Sequence, residues 1–122
     1  MEAVIFIGIQ GSGKSTFFKE RFFATHVRLN YDMLKTRHRE RILLEACLES
    51  KQKFVVDNTN PTIAERAKYI EPAKNKRFQI IGYYFQTNIK DALTRNALRI
   101  GKAKVPEIGI RATLLTSLLL EN

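Results

Sequence analysis

A glycine-rich segment near the start of the chain has the residue types and spacing of a phosphate-binding loop. In GIQGSGKST, Gly8, Gly13, Lys14 and Ser15 satisfy the pattern G-x-x-x-x-G-K-[ST]. An apolar run precedes the pattern and a helical pattern follows it, so the helix's N–H groups and dipole would face a phosphate. We expect Lys14 to reach the β- and γ-phosphates of ATP and Ser15 to ligate Mg²⁺. The other predicted nucleotide-binding residues are Gly11, Ser12 and Thr16.

A candidate general base follows the next short apolar run, in the segment LNYD. Asp32 lies where an acceptor hydroxyl could approach the γ-phosphate, and a carboxylate there can take the hydroxyl proton. The alternative interpretation is that Asp32 is the N-cap of a helix beginning at Met33. The two roles are compatible.

A third polar cluster, VVDNTNP, follows another apolar run. Asp57 is placed to hold Mg²⁺ directly or through water, or to contact the acceptor. Asn58, Thr59 and Asn60 supply a dense set of donors and acceptors beside it. The alternative is an Asx-rich turn ended by Pro61, which these residues also suit.

Two basic segments complete the candidate set. In RNALRIGKAKVP, Arg95 and Arg99 are four residues apart, as on one helix face, and Lys102 and Lys104 follow without an acid. This composition suits a lid around residues 95–106 that closes over ATP, although a solvated helix face is the alternative. The run KTRHRER at 35–41, opposed only by Glu40, suits either the phosphates of an acceptor strand or an exposed basic face.

The elements that must position these residues alternate between apolar strands and amphipathic helices. Strands are predicted at AVIFIG, HVRLN, KFVVDN and FQIIGYYF. Helices are predicted over 14–24 and 33–50, after the Thr62–Glu65 capping box, from near Asn88, and at the end of the chain through Ile108, Ala112, Leu115 and Leu119. Such alternation indicates an α/β fold, with a parallel sheet of four to five strands and helices on both faces. Its ligands bind at the carboxyl ends of the strands, where the polar clusters lie.

Composition agrees with a single domain over residues 1–122. The chain is 44% hydrophobic and carries a formal charge of +9, which favours polyanionic partners such as nucleotides or nucleic acid. No apolar run approaches the roughly 20 residues of a membrane span, and the N-terminal run is too short for a signal peptide. The single cysteine, Cys47, favours a cytoplasmic location and a buried apolar position. His26 and His38 form no metal-ligand spacing with it.

Together the segments GSGKST, NYD, DNTNP and RNALRIGKAKVP resemble the polynucleotide 5′-hydroxyl kinase family of P-loop kinases. The resemblance spans nearly the whole chain and implies a three-layer P-loop NTPase fold, with ATP and Mg²⁺ as cofactors. It implies Asp32 as general base, Lys14 and Arg99 as catalytic contacts to the phosphates, and Lys35 at the position of the Arg that binds the acceptor's 3′-phosphate. Asn58 and Asn60 are expected to join Lys35 on the acceptor side.

The resemblance implies that the acceptor is a nucleic-acid 5′-hydroxyl. Two alternatives stay open at this point: a small-molecule kinase acting on a sugar, nucleotide-sugar or antibiotic, and a nucleotide-binding module with little transfer activity. The sequence does not indicate an oligomeric state.

Overall fold

The structure is a computed structural model that describes residues 1–85 and 112–115. The strands are β1 (Glu2–Ile7), β2 (Val27–Leu29), β3 (Phe54–Val56), β4 (Gln79–Phe85) and β5 (Ala112–Leu115). The helices are α1 (Lys14–Arg21), α2 (Tyr31–Leu34), α3 (Arg37–Ser50) and α4 (Ile63–Asn75).

The strands form one five-stranded sheet in the order β2-β3-β1-β4-β5. The first four are mutually parallel, with Val4 opposite Val55 on one side and Ile81 on the other. The order places the segment after β1 beside the segment after β3, since these strands are neighbours. This confirms the predicted α/β class and the strand number. Among the described residues, the predicted polar clusters follow the carboxyl ends of β1, β2 and β3.

β5 departs from the prediction, because it runs antiparallel to β4 with Leu115 opposite Gly82 and Ala112 opposite Phe85. The sheet is therefore mostly rather than wholly parallel. The predicted closing helix is wrong over Ala112–Leu115, where pairing with the edge of β4 supplies the backbone hydrogen bonds that a helix would have supplied. A short apolar run satisfies either pattern, and the tertiary partner decides between them.

The core has two apolar clusters, one on each face of the sheet. Alternate residues of β1 divide between them, as the twofold side-chain period of a strand requires. Ala3, Ile5 and Ile7 pack with α3 and α4, whereas Val4 and Phe6 pack with aromatic residues of α1 and with Phe85. The result is three layers, with α1 on one side of the sheet and α3 and α4 on the other.

The predicted helix over 33–50 is divided in two. Lys35 has a positive φ of 76° and Thr36 is extended, so α2 ends before them. The Thr36 hydroxyl accepts a hydrogen bond from the N–H of Arg39 and caps α3. The N-cap predicted at Thr62 is confirmed, since its hydroxyl accepts from the N–H of Glu65.

Several predictions lie outside the described residues. These are the helix near Asn88 and the lid over 95–106, with Arg95, Arg99, Lys102 and Lys104, as well as the outer positions Ile108 and Leu119 of the predicted closing helix. Within residues 1–85 and 112–115, no helix has the length and hydropathy needed to cross a bilayer.

Candidate functional site

The phosphate loop connects β1 to α1 and passes close to the neighbouring strands. A Cβ on Gly8 would lie 2.9 Å from the Cβ of Phe85 and 3.0 Å from the Ser12 hydroxyl, so only glycine fits there. The N–H of Gly8 donates to the carbonyl of Thr59 at 3.0 Å, which ties the loop to the segment after β3. Gly13, the N-cap of α1, has a φ of 97°, a conformation that glycine adopts without strain.

Lys14 lies inside the loop rather than in solvent, with a relative exposure of 9%. Its ammonium donates to the carbonyls of Gly8 and Ile9 at 2.6 and 2.8 Å and lies 3.5 Å from the Ser12 hydroxyl. A lysine ammonium has three donors and no acceptor, so the loop carbonyls hold it where anionic oxygens could replace them. This geometry fits the predicted contact of Lys14 with a triphosphate.

An arginine bridges the two predicted metal ligands. The Nη2 of Arg28 lies 2.7 Å from Asp57 Oδ2 and donates to Ser15 Oγ at 3.1 Å, and Nε donates to the same carboxylate oxygen at 2.8 Å. Asp57 is only 2% exposed. A buried carboxylate is costly without a charged partner, and Arg28 supplies that charge.

Asp32 is held by a short helix that is anchored to the end of β3. Asn30 is the N-cap of this helix: its Oδ1 accepts from the N–H of Met33, and its Nδ2 donates to the carbonyl of Asp57 at 2.6 Å. The interpretation of Asp32 as the N-cap is therefore wrong, because Asn30 has that role. Asp32 is the second residue of α2, exposed and lining the pocket described below.

A buried polar network joins α3, α4 and the segment after β3. Glu40 is 5% exposed and accepts from the Tyr69 hydroxyl at 2.8 Å, from Arg37 at 3.1 Å and from Asn58 Nδ2 at 3.1 Å. Asn58 Oδ1 accepts from the N–H of Tyr31 at 2.8 Å, which connects the network to α2. Asn58 therefore supports the backbone next to Asp32.

The network shifts the pKa values of two of its members. Burial, together with the hydrogen bond to Glu40, raises the pKa of Tyr69 well above its usual value, so the hydroxyl remains a donor. Burial alone would lower the pKa of Arg37, but the hydrogen bond to Glu40 and its charge outweigh burial and raise it. Arg37 also stacks on the Tyr31 ring, with its guanidinium carbon 4.1 Å from the ring centroid.

Asn60 makes hydrogen bonds that hold the loop after β3 at the carboxyl end of β1. It is 3% exposed, has a φ of 47°, and donates from Nδ2 to the carbonyl of Phe6 at 2.8 Å. Arg66 of α4 donates to the Asn60 carbonyl at 2.9 Å. These bonds close the loop after β3 against β1, so Asn60 shapes the site in which it was predicted to act.

One pocket of about 440 Å³ brings most of the predicted residues together. The predicted residues that line it are Gly11, Gly13, Lys14, Ser15, Asp32, Asp57, Asn58 and Asn60. Gly8, Ser12, Thr16 and Lys35 are not among its lining residues, and Arg95 and Arg99 lie outside the described residues. Thr59 and Arg37, which belong to the predicted polar cluster after β3 and to the basic run 35–41, also line the pocket. The lining residues that the sequence did not assign to the site are Gln10, Asn30, Tyr31, Glu65, Lys68 and Tyr69.

Comparison with known families agrees with this loop and sheet. A family model described as an AAA domain matches residues 4–117. The chain belongs to this AAA domain family. Its P-loop is the segment from Gly8 to Thr16, and its fold is the P-loop NTPase-like arrangement of a mostly parallel five-stranded sheet with helices.

The AAA domain also has named relatives. It is 31% identical over 118 residues to a bifunctional polynucleotide phosphatase/kinase of Schizosaccharomyces pombe; the match covers 91% of this chain and 28% of that protein. The chain thus spans under a third of that relative's length. The relationship is a distant homology, and it agrees with the family that the sequence segments resemble.

Two solved structures share the fold of the AAA domain. A chain of a Pnkp1/Rnl/Hen1 complex superposes with a TM-score of 0.63 at 16% identity, covering 91% of this chain and 44% of that one. The APS kinase CysC of Mycobacterium tuberculosis, in complex with AMPPNP and APS, gives a TM-score of 0.57 at 18% identity, covering 84% and 73%. At 16% and 18% identity, these likenesses concern the fold alone.

Arg28 and Glu40 are two further residues of the AAA domain that support the site and that sequence reasoning missed. Arg28 lies within HVRLN, a short strand of a sheet that is covered on both faces. A charged side chain in such a strand needs a partner, and this was a usable sequence signal. Glu40 is the single acid in a basic run, which suggested an exposed face rather than a buried network.

Proposed function

We propose that this AAA domain is an ATP-dependent kinase that transfers the γ-phosphate to a hydroxyl, and that the acceptor is the 5′-hydroxyl end of a nucleic acid. The observation that carries the proposal is that Asp32 and the phosphate-loop residues Lys14 and Ser15 line one pocket. A kinase needs a base near the acceptor oxygen and cations near the phosphates, in one cavity.

On the donor side, the phosphate loop supplies backbone N–H groups at the start of α1 and the Lys14 ammonium. Ser15 and Asp57 offer hard oxygen donors of the kind that Mg²⁺ prefers, and both lie against the same guanidinium nitrogen of Arg28. Within the described residues no group of three or more His, Cys, Asp and Glu could hold a metal. Ser15 and Asp57 are the residues that would hold an ion bound together with a nucleotide. When bound, the ion would supply neutralisation of the charge on the phosphates.

On the acceptor side, Asp32 accepts the proton of the attacking hydroxyl and orients its oxygen toward the γ-phosphate. On this side of the pocket, positive charge comes from Arg37, which Glu40 and Tyr31 hold in place, and from Lys68. We propose that Arg37 takes the acceptor contact expected of Lys35, because Lys35 is not among the residues that line the pocket. A phosphate next to the acceptor hydroxyl suits this planar, always charged group.

The test of the acceptor uses labelled ATP, Mg²⁺ and the intact protein. Oligonucleotides with a 5′-hydroxyl, matched oligonucleotides already carrying a 5′-phosphate, and a panel of sugars and small nucleotides are offered in parallel. The proposal expects label only on the 5′-hydroxyl oligonucleotides, with a Michaelis constant that rises steeply with salt. Label on a small molecule and on no oligonucleotide would refute the nucleic-acid assignment.

The test of the base compares Asp32→Asn with Glu71→Gln, which removes one charge from an exposed position of α4. Asp32→Asn is expected to lower the transfer rate by about 100-fold or more and to leave ATP affinity unchanged. Glu71→Gln is expected to match the wild type. Transfer within a few-fold of the wild type in Asp32→Asn would show that Asp32 is not the base.

A small-molecule acceptor is the second candidate function. The observation in its favour is the fold shared with an APS kinase, of which this chain covers 73%. At 18% identity this likeness concerns the fold alone, and the small nucleotides in the acceptor panel decide between the two candidates.

A further inference from the structure

We propose that the Arg28 guanidinium and a divalent cation are alternative occupants of the space between Ser15 and Asp57, so that binding of a metal–nucleotide complex requires Arg28 to release Ser15. The inference rests on the nucleotide-binding half of the proposed function and not on the acceptor. It assigns to Arg28 a positioning role that the phosphate-loop pattern does not contain.

The first step of the argument is that one nitrogen contacts both oxygens. Arg28 Nη2 lies 2.7 Å from Asp57 Oδ2 and 3.1 Å from Ser15 Oγ. A cation shared by these oxygens would have to lie where this nitrogen is. Guanidinium and a divalent ion repel each other strongly at such a separation, and the 2% exposure of Asp57 leaves little water to screen them.

The second step is that Arg28 is secured more firmly to Asp57 than to Ser15. Both Nε and Nη2 contact Oδ2 of the carboxylate, whereas Ser15 receives a single bond. The Arg28 guanidinium carbon also lies 5.7 Å from the centroid of the Phe18 ring. Arg28 thus neutralises the buried Asp57, and its contact with Ser15 is the one that can be lost at lower cost.

The third step is that the guanidinium has space to move into. Arg28 borders a second cleft of about 620 Å³, which it shares with Ser15, Phe18, Phe23 and Met33. The Arg28 side chain is already 27% exposed. Rotation toward the cleft would keep the cation on the aromatic face of Phe18 while freeing the Ser15 hydroxyl for a metal ligand.

The consequence is a metal site that Arg28 weakens, both for the free ion and for the ion bound together with a nucleotide. Titration with Mn²⁺, followed by electron paramagnetic resonance, measures this directly without turnover, for Mn²⁺ alone and with AMPPNP. Arg28→Gln is expected to bind Mn²⁺ at least about tenfold more tightly than the wild type in both titrations, because it removes the competing charge. Arg21→Gln, an equal charge change at an exposed position of α1, is the matched control and should match the wild type.

Two further measurements protect the test against a folding defect in Arg28→Gln. Arg28→Lys keeps a cation for Asp57 but has a single nitrogen in place of the two, Nε and Nη2, that hold the guanidinium between Asp57 and Ser15, so we expect intermediate Mn²⁺ affinity. In the wild-type protein, labelled with ¹⁵N-arginine, the Nε–H signal of Arg28 should shift when Mg²⁺ and AMPPNP are added together, and not with AMPPNP alone. The loss of that signal in Arg28→Lys assigns it.

The inference is overturned if Arg28→Gln binds Mn²⁺ no more tightly than Arg21→Gln, or if the wild-type Arg28 signal is indifferent to Mg²⁺ with AMPPNP. The outcome is separable from that of the proposed function. A shift of the Arg28 signal without transfer to any acceptor would support this inference and refute the kinase assignment. If AMPPNP does not bind at all, the proposed function fails and the titration with Mn²⁺ alone decides the role of Arg28.

Discussion

The buried network around Glu40 supports a quantitative prediction about stability. Glu40 accepts three hydrogen bonds of 2.8 to 3.1 Å, from Tyr69, Arg37 and Asn58, at 5% exposure. In Glu40→Gln the side chain has the same shape, but one of its two ends becomes an NH₂ group. Whichever way the amide is oriented, that group faces a donor, either Arg37 or Asn58.

The size of the effect follows from the bonds lost. A hydrogen bond to a charged group contributes about 1.5–3 kcal/mol, and a buried donor without an acceptor costs about 1–3 kcal/mol. We therefore expect Glu40→Gln to lower the free energy of unfolding by about 3 kcal/mol, and Tm by about 10 °C for a chain of this size. Tyr69→Phe removes one donor and leaves the Glu40 carboxylate two others, so we expect it to lower the free energy of unfolding by about 1–2 kcal/mol.

The assay is urea unfolding followed by circular dichroism, on the two single variants and the double variant. The control is Glu49→Gln on the same helix, where the carboxylate is 81% exposed and lies 3.4 Å from Lys76. Exposed pairs contribute little, so a change below about 0.5 kcal/mol is expected. In the double-variant cycle, Glu40 and Tyr69 should be coupled by at least about 0.5 kcal/mol. A loss below 0.5 kcal/mol in Glu40→Gln, or strict additivity, would refute the claim that this network holds the site.

Three other predictions concern the loop, the acceptor side and the cysteine. Gly8→Ala should lower stability by about 1–3 kcal/mol and weaken AMPPNP binding measured by calorimetry, because its Cβ would meet Phe85; unchanged affinity would contradict the packing of the loop. Arg37→Gln should raise the Michaelis constant for a 5′-hydroxyl oligonucleotide about tenfold and leave the Michaelis constant for ATP unchanged. Lys35→Gln should raise the constant for the oligonucleotide by less than half as much. A larger effect in Lys35→Gln than in Arg37→Gln would restore Lys35 as the acceptor contact. Burial raises the pKa of the Cys47 thiol to about 11, so the reactive thiolate is scarce in the folded protein from pH 7 to 9. Labelling of Cys47 by a thiol reagent should therefore be far slower in the folded protein than in urea. Equal labelling rates would mean that Cys47 is accessible.

Features that depend on neighbours in the chain were predictable. The phosphate loop requires glycines at fixed offsets and a lysine and serine at the helix start, and these are local requirements that the sequence states directly. The N-cap at Thr62 is likewise local, since its hydroxyl bonds an N–H three residues away. The ends of β2 and β3 were also predictable, because the polar residues Asn30 and Asp57 directly follow their apolar runs.

Features that depend on partners distant in the chain could not be predicted from the sequence. The helical period of the apolar residues around Ala112 was misleading, because the free edge of β4 is a partner that periodicity cannot report. We propose Arg37 in place of Lys35 as the acceptor contact, because the helix ends before Lys35 and resumes at Arg37, and Arg37 lines the pocket. No spacing rule for an unbroken helix contains that break.

The sequence by itself determined that this protein has a phosphate loop, a sheet whose first four strands are parallel, and carboxylates near the carboxyl ends of its strands. Local backbone requirements and the twofold and 3.6-residue side-chain periods are sufficient for that. Only the tertiary structure decided what each carboxylate meets. Asp57 and Arg28 are 29 residues apart in the chain, and Glu40 and Tyr69 are also 29 apart, yet both pairs are in hydrogen-bond contact. Burial makes such pairings obligatory, since an unpaired charge in the interior is costly, but which residues become buried is a property of the assembled sheet and helices.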